Sequence, residues 1–136
     1  MKIPVRVYYQ DTDAGGVVYH AQYFSFMERA RTEMLNEAGV DLARMADKLR
    51  LLFFVFEINA RYHLPARLND MLSVSAEVVK MRRASLVFRH RVERAAAGQE
   101  HASVLLVEAE VTLAMVDRDR MKPARMPQEL EQALKK

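Results

Sequence analysis

Two carboxylates (Asp11, Asp13), a glycine pair (Gly15, Gly16) and an imidazole (His20) fall within ten consecutive residues near the start of this chain. They separate a strand-like alternation, Ile3, Val5 and Val7 closed by Tyr8 and Tyr9, from the longest helix-patterned segment in the protein. A helix start leaves about four backbone N–H groups without intrahelical partners and carries partial positive charge. It therefore holds an anion, or an oxygen that becomes one during a reaction. Adjacent glycines give the backbone the freedom for a tight approach to such a start. A carboxylate placed there can activate water or attack a carbonyl, and an imidazole can donate a hydrogen bond to a substrate oxygen. Each residue also has a plainer use: Asp11 and Asp13 suit a turn, and His20 suits a polar surface.

The rest of the residue supply narrows the chemistry. The chain has no cysteine, hence no thiolate nucleophile, no disulfide and no Cys-based metal site. There is no Gly-x-Ser-x-Gly and no defensible Ser, His, Asp order, so the usual machinery for peptides and ordinary esters is missing. His63, His90 and His101 lie in strand-patterned segments without metal-ligand spacing and read as structural. A thioester needs less help, because its thiol leaving group has a pKa near about 8.5 and departs with little protonation. One carboxylate and a good oxyanion site could cleave it. An aspartate pair after a first strand also suits a Mg²⁺-dependent aspartyl-phosphate phosphohydrolase. That fold needs a parallel sheet with crossover helices, which the second half of this chain does not offer. Arg82 and Arg83 read as a solvated turn that a phosphate-bearing ligand would put to use.

Residues 3–9 form a first strand in this reading, and 20–38 a helix with Tyr23, Phe24, Met27, Ala30, Met34, Leu35 and Ala38 on one face. Gly39 stops it. A short helical piece follows over 41–49, with Asp41 as N-cap. In 51–64 one face is apolar throughout (Leu52, Phe54, Phe56, Ile58, Ala60, Tyr62, Leu64), and the other turns from apolar to polar. A sheet whose outer face is half apolar calls for cover by a second subunit. Pro65 and Asn69-Asp70 mark a turn. Strands over 71–81 and 85–94 join tightly at Arg82-Arg83-Ala84, and residues 95–100 turn the chain into a last strand over 101–117. In that strand Leu105, Val107, Ala109, Val111, Leu113 and Met115 share a face. Strands this long twist and curl. Pro127 opens a terminal helix over 127–135. The architecture predicted is α+β, an antiparallel sheet wrapped around one long helix.

With 136 residues, 51% apolar and 29% charged, the chain is expected to be one globular domain, 1–136, with a core that needs no staples. Its net charge of +3 suits an anionic ligand, but no Lys/Arg cluster is dense enough for nucleic acid. No apolar run spans a bilayer and the first residues lack a signal-peptide core, so a cytoplasmic location without membrane insertion is expected.

The segment from Val5 to His20, running on into Tyr23 and Glu28-Arg29-Ala30-Arg31-Thr32-Glu33, resembles the hot-dog-fold acyl-CoA thioesterases. It is most similar to the 4-hydroxybenzoyl-CoA thioesterase-like branch, and within it to the Tol-Pal system-associated (YbgC-type) acyl-CoA thioesterases. The likeness continues through residues 62–70, 85–88 and 116–123, nearly the whole chain. It implies a hot-dog fold and hydrolysis of acyl-CoA, or of an acyl carrier protein thioester, to free acid and thiol. Asp13 matches the catalytic aspartate, as nucleophile or general base, and Tyr9 and His20 match positions lining the same site. The backbone N–H groups near Tyr19 to Ala21, at the helix start, would hold the thioester oxygen, with Gly16, Val18 and Tyr19 among the substrate-binding residues. The resemblance also implies a homodimer at minimum, commonly a tetramer, with Asn59, Ala60 and Arg61 supplied by the partner strand. Arg82 and Arg83 fall where relatives place basic residues near the CoA phosphates, and Ala84 replaces a basic residue found in some of them. No metal or tightly held cofactor is implied.

Overall fold

The computed structural model describes residues 1–96 and 102–135. Most of the turn expected over 95–100 lies outside the described residues, as does His101. The elements run β1 (Lys2–Arg6), a 3-10 turn (Tyr9–Asp11), α1 (Gln22–Glu37), α2 (Leu42–Arg44) continued by a π-helical turn (Met45–Leu49), β2 (Leu51–Tyr62), β3 (Met71–Met81), β4 (Ser85–Ala95), β5 (Ser103–Asp117), β6 (Lys122–Pro123) and α3 (Gln128–Leu134). All strands pair antiparallel in one curled sheet of order β1-β3-β4-β5-β2, with the short β6 also on β5. This is the hot-dog arrangement, and a wholly antiparallel sheet removes the phosphohydrolase alternative. No helix among the described residues is long and apolar enough to cross a membrane.

Helix α1 packs across β3, β1 and β4. Its buried residues are Tyr23, Phe26, Met27, Ala30, Arg31 and Leu35, a stripe rotated from the one read off the sequence. Phe26 and Arg31 are inside, whereas Phe24, Met34 and Ala38 are only partly buried. Gly39 ends the helix at φ +86°, where a Cβ would be strained. Asp41 caps α2, its Oδ1 accepting from the Arg44 N–H at 3.1 Å.

Three β-bulges bend the sheet, and two of them overturn the simple alternation. In β2 the register against β5 slips between Val55 and Glu57, leaving Phe56 as the extra residue. Before the bulge Leu51, Phe53 and Val55 pair with Asp117, Met115 and Leu113; beyond it Ile58, Ala60 and Tyr62 pair with Val111, Ala109 and Val107. Since Leu113, Met115, Val111, Ala109 and Val107 are buried, the core side of β2 switches from odd to even residues at Phe56. The uniformly apolar face Leu52 to Leu64 is therefore not a face at all: Leu52 and Phe54 lie on the outer side with Asn59 and Arg61. In β5 a second slip, opposite Val92 and Glu93, makes Leu106 the extra residue. Leu106 and Val107 are both fully buried, and Leu105 is turned off the predicted face. The third bulge, at Val79, lies in β3.

Candidate active site

The loop between β1 and α1 is pinned rather than free. Thr12 bridges to Val18, and Val17 to Arg67. The Val18 N–H donates to the Ala66 carbonyl at 2.9 Å, while the Ala66 N–H donates to Tyr23 Oη at 3.0 Å. Segment 62–67 thereby clamps both the loop and the first turn of α1.

The two aspartates part company here. Asp11 is buried at 3% exposure. Its Oδ2 accepts from the Tyr8 N–H at 2.8 Å and its Oδ1 from Gln22 Nε2 at 3.0 Å. Its carbonyl takes the Tyr19 N–H. Asp11 is thus the structural post that ties β1 to the helix start. Asp13 is exposed. Its Oδ1 accepts from the Gly15 N–H at 2.8 Å and its carbonyl from the Gly16 N–H at 3.1 Å, while no group among the described residues engages Oδ2. Gly16 sits at φ +80°, in the left-handed region. A Cβ on Gly15 would come within 3.2 Å of Asp13 Oδ1. The glycine pair therefore shapes the turn that carries Asp13, one residue for conformation and the other for closeness.

Helix α1 starts at Gln22, two residues later than the pattern suggested, because Tyr19 to Ala21 form a preceding turn closed by the Gln22 N–H on the Tyr19 carbonyl at 2.9 Å. The helix has no side-chain cap. Among the described residues nothing accepts from the N–H groups of His20 or Ala21. These are donors at the positive end of a 16-residue helix. The Tyr19 and His20 rings lie 4.4 Å apart, and both residues are exposed. A shallow cavity of about 320 Å³ adjoins the helix start, lined by Val18, His20, Tyr23, Tyr62, His63, Leu64 and Pro65.

The other expected site residues are spread over the surface of the single chain. Tyr9 is 81% exposed, and only its carbonyl is engaged, by Thr12. Asn59 and Arg61 line an outer-face groove of about 310 Å³ with Arg89, Glu108 and Glu110. Ala60 lies on the opposite face, paired with Ala109. Arg82 and Arg83 are exposed at the β3–β4 turn, held by the Arg82 N–H on the Ser85 carbonyl and by the Met126 N–H on the Arg83 carbonyl. Within one chain, Val18 and His20 line the cavity beside the helix start, Tyr19 lies against His20, and Asp13 and Gly16 share the turn that precedes them in sequence. Tyr62 and Tyr23 were missed as neighbours of the helix start. Their only signal in the sequence was aromatic identity in segments that read as core, and burial raises the pKa of both phenols.

Elsewhere the core holds an unexpected polar pair. His90 is fully buried, its Nδ1 3.0 Å from the Ser75 carbonyl and its Nε2 3.5 Å from Arg31 Nη1. A carbonyl only accepts, so Nδ1 carries the proton and Nε2 receives from the guanidinium. Burial, with Arg31 adding to it against the opposing Ser75 contact, lowers the His90 pKa to about 4. Burial also lowers that of Arg31.

Residues 7–134 match the family model described as the Thioesterase-like superfamily. The chain is 48% identical over 128 residues to the acyl-CoA thioester hydrolase YbgC of Escherichia coli O6:H1, covering 93% of this chain and 90% of that one. It is 41% identical over 130 residues to the acyl-CoA thioesterase YbgC of Haemophilus influenzae, covering 96% and 90%. The 4-hydroxybenzoyl CoA thioesterase of Pseudomonas sp. strain CBS-3 superposes with a TM-score of 0.87 at 20% identity, over 98% of this chain and 97% of that one, and shares its fold.

Proposed function

This chain belongs to the thioesterase-like superfamily, and from that premise we propose that it is a cytoplasmic acyl-CoA thioesterase in which Asp13 works against an oxyanion site at the start of α1. The observation that carries the reading is the pair of unpartnered N–H groups, His20 and Ala21, at the helix start that follows the Asp13 turn. The thioester carbonyl oxygen is received there as negative charge develops. Asp13, steadied through Oδ1 by the Gly15 N–H, presents Oδ2 to water as general base or to the carbonyl carbon as nucleophile. The C–S bond breaks and the CoA thiolate leaves with little protonation. In the general-base route the water oxygen stays on the acyl carbon as the free acid; in the nucleophilic route the acyl group passes to Asp13 as a mixed anhydride that a water then hydrolyses to the acid. His20 and Tyr9 flank the reacting group. Val18 and Tyr23 line the apolar side of the cavity. An acyl carrier protein presents the same kind of thioester and is an alternative donor.

A homodimer completes the site in this reading. Strand β2 is the edge of the sheet, with its outer backbone groups unpaired by any described strand. Phe54 is 53% and Phe56 74% exposed, beside a half-open Ile58. An edge this long and apolar is the natural seat of a second copy. That copy would bring Asn59 and Arg61 towards the helix start, and pairing of dimers would make a tetramer. Arg82 and Arg83 then serve the CoA phosphates from the exposed β3–β4 turn.

Release of free thiol from a panel of acyl-CoA chain lengths tests the proposal. Asp13→Asn should retain the fold and lose roughly 100-fold or more in turnover. A variant that turns over at the wild-type rate would exclude Asp13 from the chemistry. Tight binding of acyl-CoA by the wild type without thiol release would make the chain an acyl-binding module instead.

A further inference from the structure

Two consecutive peptide groups lead into α1, and each is fixed through its carbonyl. The Tyr19 carbonyl accepts from the Gln22 N–H at 2.9 Å, so the helix itself orients the Tyr19–His20 peptide. No backbone N–H among the described residues donates to the His20 carbonyl. That carbonyl accepts instead from Tyr62 Oη, at 2.8 Å, across 42 residues of sequence. A peptide group is planar and trans, so its C=O and N–H point in opposite directions. Fixing the His20 carbonyl therefore fixes the aim of the Ala21 N–H, one of the donors at the helix start that meet no acceptor among the described residues. A carbonyl that accepts a hydrogen bond also polarises its peptide and strengthens the donor at the other end.

The phenol is itself held in place. Tyr62 closes β2, paired with Val107. The His63 and Leu64 N–H groups that follow both donate to the Leu106 carbonyl, at 2.7 and 3.1 Å. The Tyr62 ring packs edge-on against Tyr23 with centroids 5.8 Å apart, and Tyr23 Oη is in turn engaged by the Ala66 N–H. The sheet edge thus meets the helix start through one hydroxyl whose position is set from both sides.

We propose that Tyr62 is a positioning residue of the thioesterase reaction: its hydroxyl sets the His20–Ala21 peptide so that the Ala21 N–H meets the thioester oxygen as charge develops there. The inference rests on the reading of the helix start as the oxyanion site. Tyr62 does not touch the reacting atoms; it acts through the peptide it holds.

Tyr62→Phe removes the hydroxyl and keeps the ring against Tyr23. The expected result is a kcat lowered about tenfold with KM for acyl-CoA within about twofold, a smaller loss than the 100- to 1000-fold that follows removal of an oxyanion donor outright. 4-Aminophenylalanine at position 62 restores an N–H donor at the same place and should recover most of that kcat. A structural tie alone would change the unfolding midpoint without this split between kcat and KM or this rescue. The proposal is overturned by wild-type kcat in Tyr62→Phe, by a rise in KM alone, or by a loss that the amino analogue fails to restore. Should the phenylalanine protein not fold, the 4-aminophenylalanine and 3,5-difluorotyrosine proteins carry the test, because kcat must then follow donor strength; indifference to it overturns the role. If the wild type releases no thiol, the reading of the site itself falls. If the wild type is active, Asp13→Asn is not, and Tyr62→Phe runs at full rate, only the role of Tyr62 falls.

Discussion

His90 is the most sharply defined titrating group in the core, and it predicts how the fold responds to acid. Its imidazole bridges the Ser75 carbonyl and the Arg31 guanidinium, with Phe88 stacked at 5.9 Å and the Glu28 carboxylate acting on Arg31. A proton added at Nε2 would put a second cation against Arg31 inside the core. The native pKa is accordingly lowered from 6.5 to about 4. The unfolded chain takes up its proton near the ordinary value while the native state does not, so stability falls as pH drops through that window and is unaffected by this group above it. At 1.36 kcal/mol per pKa unit, the gap corresponds to about 3 kcal/mol lost between the two values. The measurement is urea unfolding of the wild type and of His90→Gln at a series of values from about pH 7.5 to about pH 4.5. Glutamine keeps a donor and an acceptor but cannot titrate, whereas every carboxylate elsewhere contributes equally to both proteins. The difference between the two curves should be flat at neutral pH and close by about 2–3 kcal/mol in favour of the glutamine protein at the acid end. Parallel curves across the whole range would show that His90 is not a neutral imidazole pressed against Arg31, and the reasoning would fail.

Other outcomes follow from the site and the sheet edge. Asp11→Ala should cost about 2–3 kcal/mol of unfolding free energy, since it strands the Tyr8 N–H and the Gln22 amide that the carboxylate serves; Asp13→Asn, on an exposed turn, should cost well under half of that in the same urea titration. Gly16→Ala should destabilise by about 1–2 kcal/mol through its φ of +80° alone, because a Cβ there meets nothing within 4 Å. Thermal unfolding in the absence of ligand reads it directly. If the proposed dimer forms through β2, Phe54→Glu combined with Phe56→Glu, both on its exposed part, should lower the mass in light scattering to that of a monomer and lower thiol release with it. An unchanged mass would move the interface elsewhere.

Much of this was legible before any coordinates. The helix around Tyr23, Met27, Ala30 and Leu35, the Gly39 stop, the Asp41 cap and the tight β3–β4 turn follow from local rules that tertiary packing leaves alone. The bulges at Phe56 and Leu106 were not legible. A single extra residue in a strand changes which residues face the core but leaves the composition of the segment unchanged, and an all-apolar run such as Leu51 to Phe56 offers no alternation to betray the slip. Arg31 inside the core was hidden for a different reason. Its partner His90 is 59 residues away, and a charged side chain reads as solvated unless its acceptor is known. In the candidate site, Asp13 and His20 were singled out by type and spacing. The separation of a buried, bonded Asp11 from an exposed Asp13 is invisible in the sequence, because it depends on which carboxylate the Tyr8 N–H and Gln22 reach. Tyr62 escaped for the same reason as Arg31: it acts across the fold, on a backbone atom.

The order β1-β3-β4-β5-β2 has a consequence for how the chain is made. β3 and β4 are sequence neighbours joined by a tight turn, and β5 follows them, so these three can pair as they emerge. β2 is synthesised before all of them, yet its partner β5 is the last long strand to appear. Until then the run Leu51 to Ile58, rich in phenylalanine and carrying a single charge, waits on the ribosome's far side with both edges open. Slow translation through β5 should therefore be the step at which nascent chains aggregate, and a chaperone that masks short apolar β-segments should raise the soluble yield more than any change to the finished core.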